Sequence, residues 1–492
     1  MSILVVDAGS SSMRGILFRE NGVEIGQKQI KYHPSYGENG IYVEQEPMEY
    51  KIALWEILEW AGAESKKVTE AVQALSLTAQ RSSCICMDMH GEPIGNAICW
   101  QDKRSLPICK SLEEHGREIF EKSGAWVNPV FLGPKLTWIR QNRAEVYAKT
   151  WKFMSIADYL MFLLTGNVFT DDTYASRTHL MNLETRAWDM ELLNCFNVER
   201  EKLCEICQVG SYIGNLCSEV ARFTGMQAGI PVYSAGGDQQ CALVGQGSFE
   251  QGDVSVTLGT GEFIAMPLKV LPPRRKEQVI YNASAVRGEY IVEFTAATCC
   301  SALDWLMREI YHGMDYENME SELAKSVPGA AGCRLLPYFQ GRVTPDRNSE
   351  AKAVFAGISL STHKSDMLRA LIEGIAVEMY NGIEAMPSRA NRILVNGGLT
   401  RTSAVCQILA DVLERSIYVS GEQDATALGA YIVTMVSLGY FPNEAEAYQN
   451  LCAKSRLDIY NPRQEHAFVY HTLKEENYEL YHRIYEGMYE RR

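Results

Sequence analysis

A two-domain α/β protein is what this sequence predicts, and three observations carry the prediction. The chain has 492 residues, more than most single cores hold, so two units on the order of 200–250 residues each are the natural division. A strand–turn–strand unit, "ILVVD", "AGSSS", "MRGILF" at 3–18, returns near mid-chain as "VSVTL", "GTG", "EFIAM" at 254–266. Around these hairpins, strand-like and helix-like segments alternate, as in a sheet covered by helices.

The elements follow in order. At 254–258 Val, Ser, Val, Thr and Leu alternate with period two, so that strand buries one face. "QEPMEYKIALWEILEWAG" (45–62) sets a proline near a helix start, ahead of apolar residues at helical spacing. "VQALSLTAQ" (72–80) and "ICMDMHGEPIGNAICW" (85–100) read as strands, the second bent about a glycine turn. "LGPKLTWIRQNRAEVYAKT" (132–150) reads as one helix, and "ADYLMFLLTG" (157–166) as a buried helix closing at Gly166. In the second half, 365–386, 402–413 and 426–439 read as helices, and "RILVNGGLT" (392–400) as a strand entering a glycine turn. The C-terminal "YHTLKEENYELYHRIYEGMYE" (470–490) is a tyrosine-rich helix expected to lie on the protein surface. The boundary is expected near Gly245–Gly252, giving domains 1–246 and 247–492.

Composition narrows the function. With 47 Lys plus Arg against 61 Asp plus Glu, the formal charge is −14, which argues against a phosphate-backbone partner. No apolar run approaches the roughly 20 residues that cross a bilayer. "MSILVVDAGSS" enters a core strand without a basic start and long apolar stretch, so the expected location is cytoplasmic, with no nucleic-acid or membrane partner. The 14 cysteines are scattered. Cys204 and Cys207 form the one Cys-x-x-Cys, with no second ligand pair for zinc nearby, and are expected to pack in a helix. Cys84, Cys86, Cys299 and Cys300 read as small apolar fillers.

Four stretches carry chemistry. In "VVDAGSSSMRG", Asp7 ends a strand and Gly9, Ser10, Ser11 and Ser12 form the turn. Turn amides and hydroxyls of this kind cradle anions, and an acid at the strand end can hold magnesium through water; on the hairpin alone, an ordinary turn is equally open. "TLGTGEF" sets Thr260 between Gly259 and Gly261. "NGGLT" places Gly397 and Gly398 between a strand and a helix, where a helix N-terminus faces phosphate or the glycines give a base room. "SAGGDQQCALVGQG" (234–247) crowds glycines around one acid, Asp238, and they are expected to leave space for a reacting ligand. Together these point to nucleotide phosphate. Neither a GxxxxGK[ST] loop nor a GxGxxG fingerprint is present.

The chain resembles the FGGY carbohydrate kinases, the group of glycerol kinase and xylulokinase. The resemblance runs nearly end to end through "DAGSSSMRGILF", "QRSS", "AICWQDKR", "KLTWIRQN", "DYLMFLLTG", "GGDQQCALVGQG", "LGTG", "NGGLT" and "ALGAYIVTMVSLG", in family order. It implies two actin-like (ribonuclease H-like) domains, with the sugar or polyol mainly on the first and ATP mainly on the second. A cleft between them would close on binding. By the same resemblance Asp238 is the general base, Asp7 holds Mg2+, and Gly9, Ser10, Ser11, Ser12, Gly259, Thr260, Gly261, Gly397, Gly398 and Thr402 contact ATP. Gln80, Arg81, Trp100, Asp102, Asp238 and Gln239 are expected at the substrate. Core packing for Trp100, a salt bridge for Arg81 and a plain pairing of Asp102 with Arg104 remain open alternatives, and Asp158 is expected to be structural. Ser82 stands where glycerol kinases carry a glutamate, and Arg81 and Ser82 stand where xylulokinases carry methionine and histidine; these departures argue against glycerol and D-xylulose, while ketopentoses, ketohexoses, deoxy sugars and C3–C5 polyols all stay open. A homodimer is compatible with the resemblance. A catalytically silent sugar-binding protein and an actin-like ATPase are the other two functions the residues leave open.

Overall fold

The structure, a computed structural model, describes residues 2–37, 40–273, 275–313, 318–348, 350–420, 424–452 and 457–489. Two mixed sheets organise it. The first is built from β1 (Ser2–Ala8), β2 (Ser12–Arg19), β3 (Glu24–Lys31), β4 (Val72–Ala79), β5 (Tyr212–Asn215) and β6 (Pro231–Gly237), in the order β5-β6-β4-β1-β2-β3. The second contains β7 (Asp253–Leu258), β8 (Glu262–Leu268), β9 (Ile280–Ala283), β10 (Tyr290–Ala296), β11 (Arg392–Gly397), β12 (Ile417–Ser420) and β13 (Leu457–Tyr460), in the order β9-β10-β8-β7-β11-β12-β13.

The two sheets share one design. In the first, β1 pairs antiparallel with β2 and β2 with β3, while β4 and β6 extend the sheet in parallel from β1. In the second, β7, β8 and β10 form the antiparallel run, and β11 and β12 extend it in parallel from β7. An antiparallel strand closes the parallel edge of each, β5 and β13. The two hairpins read from the sequence are thus equivalent pieces. Their turns, after Ala8 and after Leu258, lie where each sheet changes from antiparallel to parallel pairing.

The longer helices are α1 (Pro47–Lys67), α2 (Leu132–Asn142), α3 (Ile156–Thr165), α4 (Asp238–Gly245), α5 (Cys300–Glu309), α6 (Lys364–Ala385), α7 (Ser403–Leu413), α8 (Ala425–Ser437), α9 (Glu444–Leu451) and α10 (Ala467–Tyr489). Helix α3 shows why such a segment folds locally. The Ser155 hydroxyl accepts from the Asp158 amide at 3.1 Å and the Asp158 carboxylate accepts from the Ser155 amide at 2.8 Å, a reciprocal cap. Gly166 ends the helix in the left-handed region, and Asp158 is spent on this structural task.

Three elements differ from the sequence reading. The helix expected over 132–150 breaks at Arg143, whose φ of −135° and ψ of 55° are not helical, and a second helix follows over Ala144–Lys149. Cys204 and Cys207 are not helical; Cys207 ends a short strand, Glu205–Cys207, that pairs in parallel with Phe169–Asp171. In α10, Tyr470, Tyr481 and Tyr485 turn inward and are buried, while Tyr478 faces solvent. No helix among the described residues is long and apolar enough to cross a membrane.

Sheet membership and packing do not divide the chain at the same place. Helix α8 follows a strand of the second sheet yet lies on the first, against β1, β4 and β6. One apolar cluster joins Ile3, Val5, Ile16 and Phe18 to Ala427, Tyr431, Ile432 and Val433. Polar groups pin the contact: the Ser76 hydroxyl donates to the Ala430 carbonyl at 3.0 Å, and the Tyr431 hydroxyl to the Arg19 carbonyl at 2.9 Å.

Candidate active site

Strand β6 delivers Asp238 to the site. Beyond Gly237 the strand becomes α4, with Asp238 as its first residue. A carboxylate is favoured there by the unpaired amides at a helix start, and the Gln239 amide donates to Asp238 Oδ1 at 2.8 Å. The glycines around it are filled by protein, not left open as expected. Gly236 has φ +99°. A Cβ on Gly237 would lie 2.6 Å from Arg81 Cδ, so the missing side chain there is the passage for the arginine stem. A Cβ on Gly245 would lie 1.8 Å from the Ala425 carbonyl oxygen, where α4 crosses α8.

Arg81 links Asp238 to a buried charge network. Its Nε lies 3.4 Å from Asp238 Oδ1, and its Nη1 donates to Glu293 Oε1 at 2.7 Å. Glu293 Oε2 accepts from Asn282 Nδ2 at 2.5 Å and from Arg177 Nη1 at 3.4 Å. Burial pushes the Asp238 carboxyl above its ordinary value, with the Arg81 charge pulling the other way. The Arg177 guanidinium stacks 4.3 Å from the Phe131 ring centre, and burial together with the charge of Arg81 brings it down to about 10.

The first turn gathers several of the predicted residues. Asp7, the next-to-last residue of β1, accepts from Arg14 Nη2 at 2.7 Å, and Arg14 Nη1 reaches Asp424 at 2.6 Å. Burial, with added repulsion from Asp424 and Asp238, raises the Asp7 carboxyl to about 6 against the pull of Arg14. Trp100 Nε1 donates to the Ser10 hydroxyl at 2.8 Å, and Gln80 Nε2 donates to the Gly9 carbonyl at 3.2 Å. Residues expected at the substrate, Gln80 and Trp100, are therefore bonded to residues expected at ATP, Gly9 and Ser10. Ser11 is exposed at the tip, and the Ser12 hydroxyl accepts from Gln29 at 2.8 Å. Gln239 is half-buried beside the base.

Asp102 is a correction. It is 1% exposed, and four donors occupy its carboxylate. Arg104 Nε and the Arg104 amide reach Oδ1 at 2.8 and 2.9 Å, and Arg104 Nη2 and the Val43 amide reach Oδ2 at 2.8 and 2.7 Å. This acid organises the loop after Trp100 and presents no surface to a sugar. Lys135 has a comparable structural role beneath Ser82. It is fully buried, donates to the Ser82 carbonyl at 3.1 Å and also to Val130, and burial lowers its ammonium to about 7. It thereby holds Ser82 at φ +71°, a conformation costly for a residue with a side chain.

The second sheet contributes two loops. In the first, Thr260 is exposed between Gly259 and Gly261. The Cys300 amide donates to the Gly259 carbonyl and the Cys299 amide to the Thr260 carbonyl, both at 2.9 Å. The start of α5 thus fixes the loop backbone and leaves the threonine side chain outward. Cys299 is buried as a filler and Cys300 is half-buried. The other loop is drawn alongside: Gly397 has φ +113°, and a Cβ there would lie 2.2 Å from the Leu258 carbonyl oxygen. Gly398 meets nothing within 4 Å, so this position is open to a ligand. Thr402 stands at the start of α7 without a side-chain cap bond; Glu320 caps that helix instead, accepting from the Ser403 hydroxyl at 3.0 Å and the Ala404 amide at 3.2 Å.

Glu262 lies directly behind the Gly259–Gly261 turn. It is fully buried, and neither carboxylate oxygen has a hydrogen-bond partner among the described residues. Burial, then the charge of Glu378, raises its carboxyl well above its ordinary value. A folded-state value raised above the unfolded one gives stability that is present below about pH 4.3 and is lost as pH rises. Glu262→Gln should therefore be at least as stable as the parent at pH 7, with an advantage that grows with pH in denaturant melts. A loss of stability at every pH would show that the carboxyl is needed.

Sequence reasoning missed Arg14, Arg177, Glu262 and Glu293. A signal existed for the last two, since each is an acid inside an otherwise apolar strand, in "TGEFIAM" and "YIVEFTA". A buried charge of that kind demands a partner.

An enzyme that moves a phosphoryl group from ATP to a carbohydrate needs chiefly a base, anion-binding turns and a means of holding both substrates in line. This fold, with its glycine turns and buried carboxylate, is compatible with a protein of that class. Comparison with known proteins gives the family. The N-terminal domain of the FGGY family of carbohydrate kinases matches residues 2–245 and its C-terminal domain matches 254–438. The chain belongs to that family. It is 30% identical over 468 residues to a glycerol kinase of Alcanivorax borkumensis, covering 92% of this chain and 93% of that one. A glycerol kinase of Ectopseudomonas mendocina is 29% identical over 460 residues, 90% and 91% of the two chains. In fold, the ligand-bound xylulose kinase of Lactobacillus acidophilus superposes with a TM-score of 0.91 at 22% identity over 98% of both chains. The Plasmodium falciparum glycerol kinase with ADP gives 0.86 at 24% identity over 97% of both.

Proposed function

We propose that the protein transfers the γ-phosphoryl group of ATP to a hydroxyl of a small ketose or polyol, with Asp238 as the general base. The observation that carries this reading is the placement of Asp238. It starts a helix at the end of a parallel strand, 3.4 Å from the Arg81 Nε. As the substrate oxygen attacks the γ-phosphorus, its proton passes to the Asp238 carboxylate and the bond from phosphorus to the ADP oxygen breaks. A carboxyl raised by burial is a stronger base than a solvated one. Thr260, Gly261 and Gly398 would line the phosphates, with Ser10 and Ser11 facing them from the first sheet. Gln80 and Trp100 would border the acceptor.

Asp7 would hold Mg2+. It offers a hard oxygen donor, and a divalent cation would relieve the repulsion that Asp424 and Asp238 impose on it. No cluster of three or more metal-ligating side chains occurs among the described residues. Bound there, magnesium would neutralise charge on the phosphate oxygens.

The named relatives act on glycerol, yet the position after Arg81 is Ser82, a side chain without the carboxylate expected to grip glycerol. This argues against glycerol as the acceptor and leaves ketoses, deoxy sugars and C3–C5 polyols open. ADP release from Mg-ATP across ketoses, aldoses, sugar acids and polyols, with glycerol and a no-acceptor control, tests this. Strong turnover with one compound names the substrate; turnover without any acceptor would support an ATPase instead. Arg81→Lys keeps the charge between Asp238 and Glu293 but loses the fork. The KM for the acceptor should rise about tenfold, the cost of one charged hydrogen bond, with little change in the KM for ATP. Equal changes in both constants would remove Arg81 from the acceptor side.

A further inference from the structure

Glu293 stands where a charged side chain is costly. It lies within β10, opposite Ala265 on one side and Ile280 on the other, and is 5% exposed. Both oxygens are directed to groups near the cleft. One holds Arg81, from the loop after β4, at 2.7 Å; the other takes Asn282 from β9 and, at 3.4 Å, Arg177, which follows the short helix Asp172–Ala175. Arg81 and Arg177 belong to the first half of the chain and Glu293 and Asn282 to the second. The Arg81 stem is fixed at its other end by the bare backbone of Gly237. Its Nε is left 3.4 Å from Asp238, a single long contact instead of a fork.

We infer that Glu293 is a positioning residue: it reaches from the second sheet to hold Arg81, and through Arg81 it sets where the Asp238 carboxylate lies. The inference rests on reading Asp238 as the base. With Glu293 neutral, Arg81 loses its main anion and turns its fork onto Asp238, covering the oxygen that must take the substrate proton. Coupling across the two halves follows as well, since the base is correctly held only while the second sheet is docked on the first.

The charged and titratable groups facing Asp238 are Arg81, Arg177, Tyr174, Glu293, Asp7 and, on its own helix, Cys241. Glu293 and Asp7 oppose the charge on Asp238, and the two arginines favour it. Removing the charge of Glu293 therefore moves the acid limb of kcat to lower pH. Removing that of Arg177 moves it to higher pH.

The experiment compares full-length Glu293→Gln, Glu293→Asp and Arg177→Met with the parent, by kcat against pH, by KM for both substrates, and by carbon NMR titration of the Asp238 carboxyl without substrates. Glu293→Gln should lose at least about tenfold in kcat, as misplaced reacting groups do, with KM for ATP unchanged and the acid limb lowered. Glu293→Asp should recover some of the rate. A folded Glu293→Gln with parental kcat and an unmoved acid limb overturns the inference, and so do limbs that shift in the same direction in Glu293→Gln and Arg177→Met. Should Glu293→Gln fail to fold, the direction in Arg177→Met decides. A parent without acceptor-dependent turnover overturns the kinase reading alone. The NMR titration then decides this inference by itself, because an Asp238 signal indifferent to both substitutions refutes it.

Discussion

Asp238→Asn is expected to lower kcat by about 10²–10⁴-fold, the usual contribution of a positioned base, while the protein folds and binds nucleotide as before. The structure supplies the reason for both halves of that result. Arg81 is held chiefly by Glu293, 2.7 Å away, and only loosely by Asp238 at 3.4 Å. An amide in place of the carboxylate therefore leaves the arginine anchored. Nor does the fold depend on the charge. The Asp238 carboxyl is raised by burial, so the stability it contributes is present below about pH 3.9 and is lost as pH rises. At pH 7 the asparagine variant should match or exceed the parent in a denaturant melt. ADP release with the acceptor found in the substrate panel measures the catalytic loss, and calorimetric titration with nucleotide checks binding. Turnover near the parental rate would end the assignment of Asp238 as base.

Gly429→Ala should be a strongly damaging single-methyl change. In an exposed helix this substitution gains up to about 1 kcal/mol. Here the sign reverses. A Cβ on Gly429 would lie 1.8 Å from the Cys241 carbonyl oxygen, and its counterpart on Gly245 would lie 1.8 Å from the Ala425 carbonyl oxygen. The two helices touch backbone to backbone, and neither carbonyl can swing away as a flexible side chain would. Overpacking at such a contact costs on the order of 3 kcal/mol or more. Because α4 starts at Asp238, pushing the helices apart also moves the base, so activity should fall more steeply than stability. Chemical denaturation and kcat of the same preparation check both effects. A variant as stable as the parent would mean that α4 and α8 can separate freely.

Much of this was legible in the chain. The two hairpins with their glycine–hydroxyl turns and the long apolar helices follow from local periodicity and turn chemistry, which neighbouring residues settle among themselves. Gln80, Arg81 and Trp100 were singled out only by resemblance, which assigned them to the substrate; the bonds of Gln80 and Trp100 to the first turn were not foreseen. What was not readable depends on contacts between distant segments. Arg81 and Glu293 are 212 residues apart, and no local pattern says which buried acid answers which buried arginine. Asp102 misled because an acid two residues before an arginine serves a loop as easily as a ligand. The glycines around Asp238 misled in the same way: bare backbone marks a close approach, but not whether the visitor is a substrate or another segment of the protein.

Helix α8 has a consequence for how the molecule can be divided. The polypeptide passes between the two sheets three times: from α4 to β7, from β12 to α8, and from α9 to β13. A chain severed near residue 246 would leave Ile3, Val5, Ile16 and Phe18 facing water on one fragment and a bare apolar helix on the other, so the halves are not independent modules that could be traded between proteins.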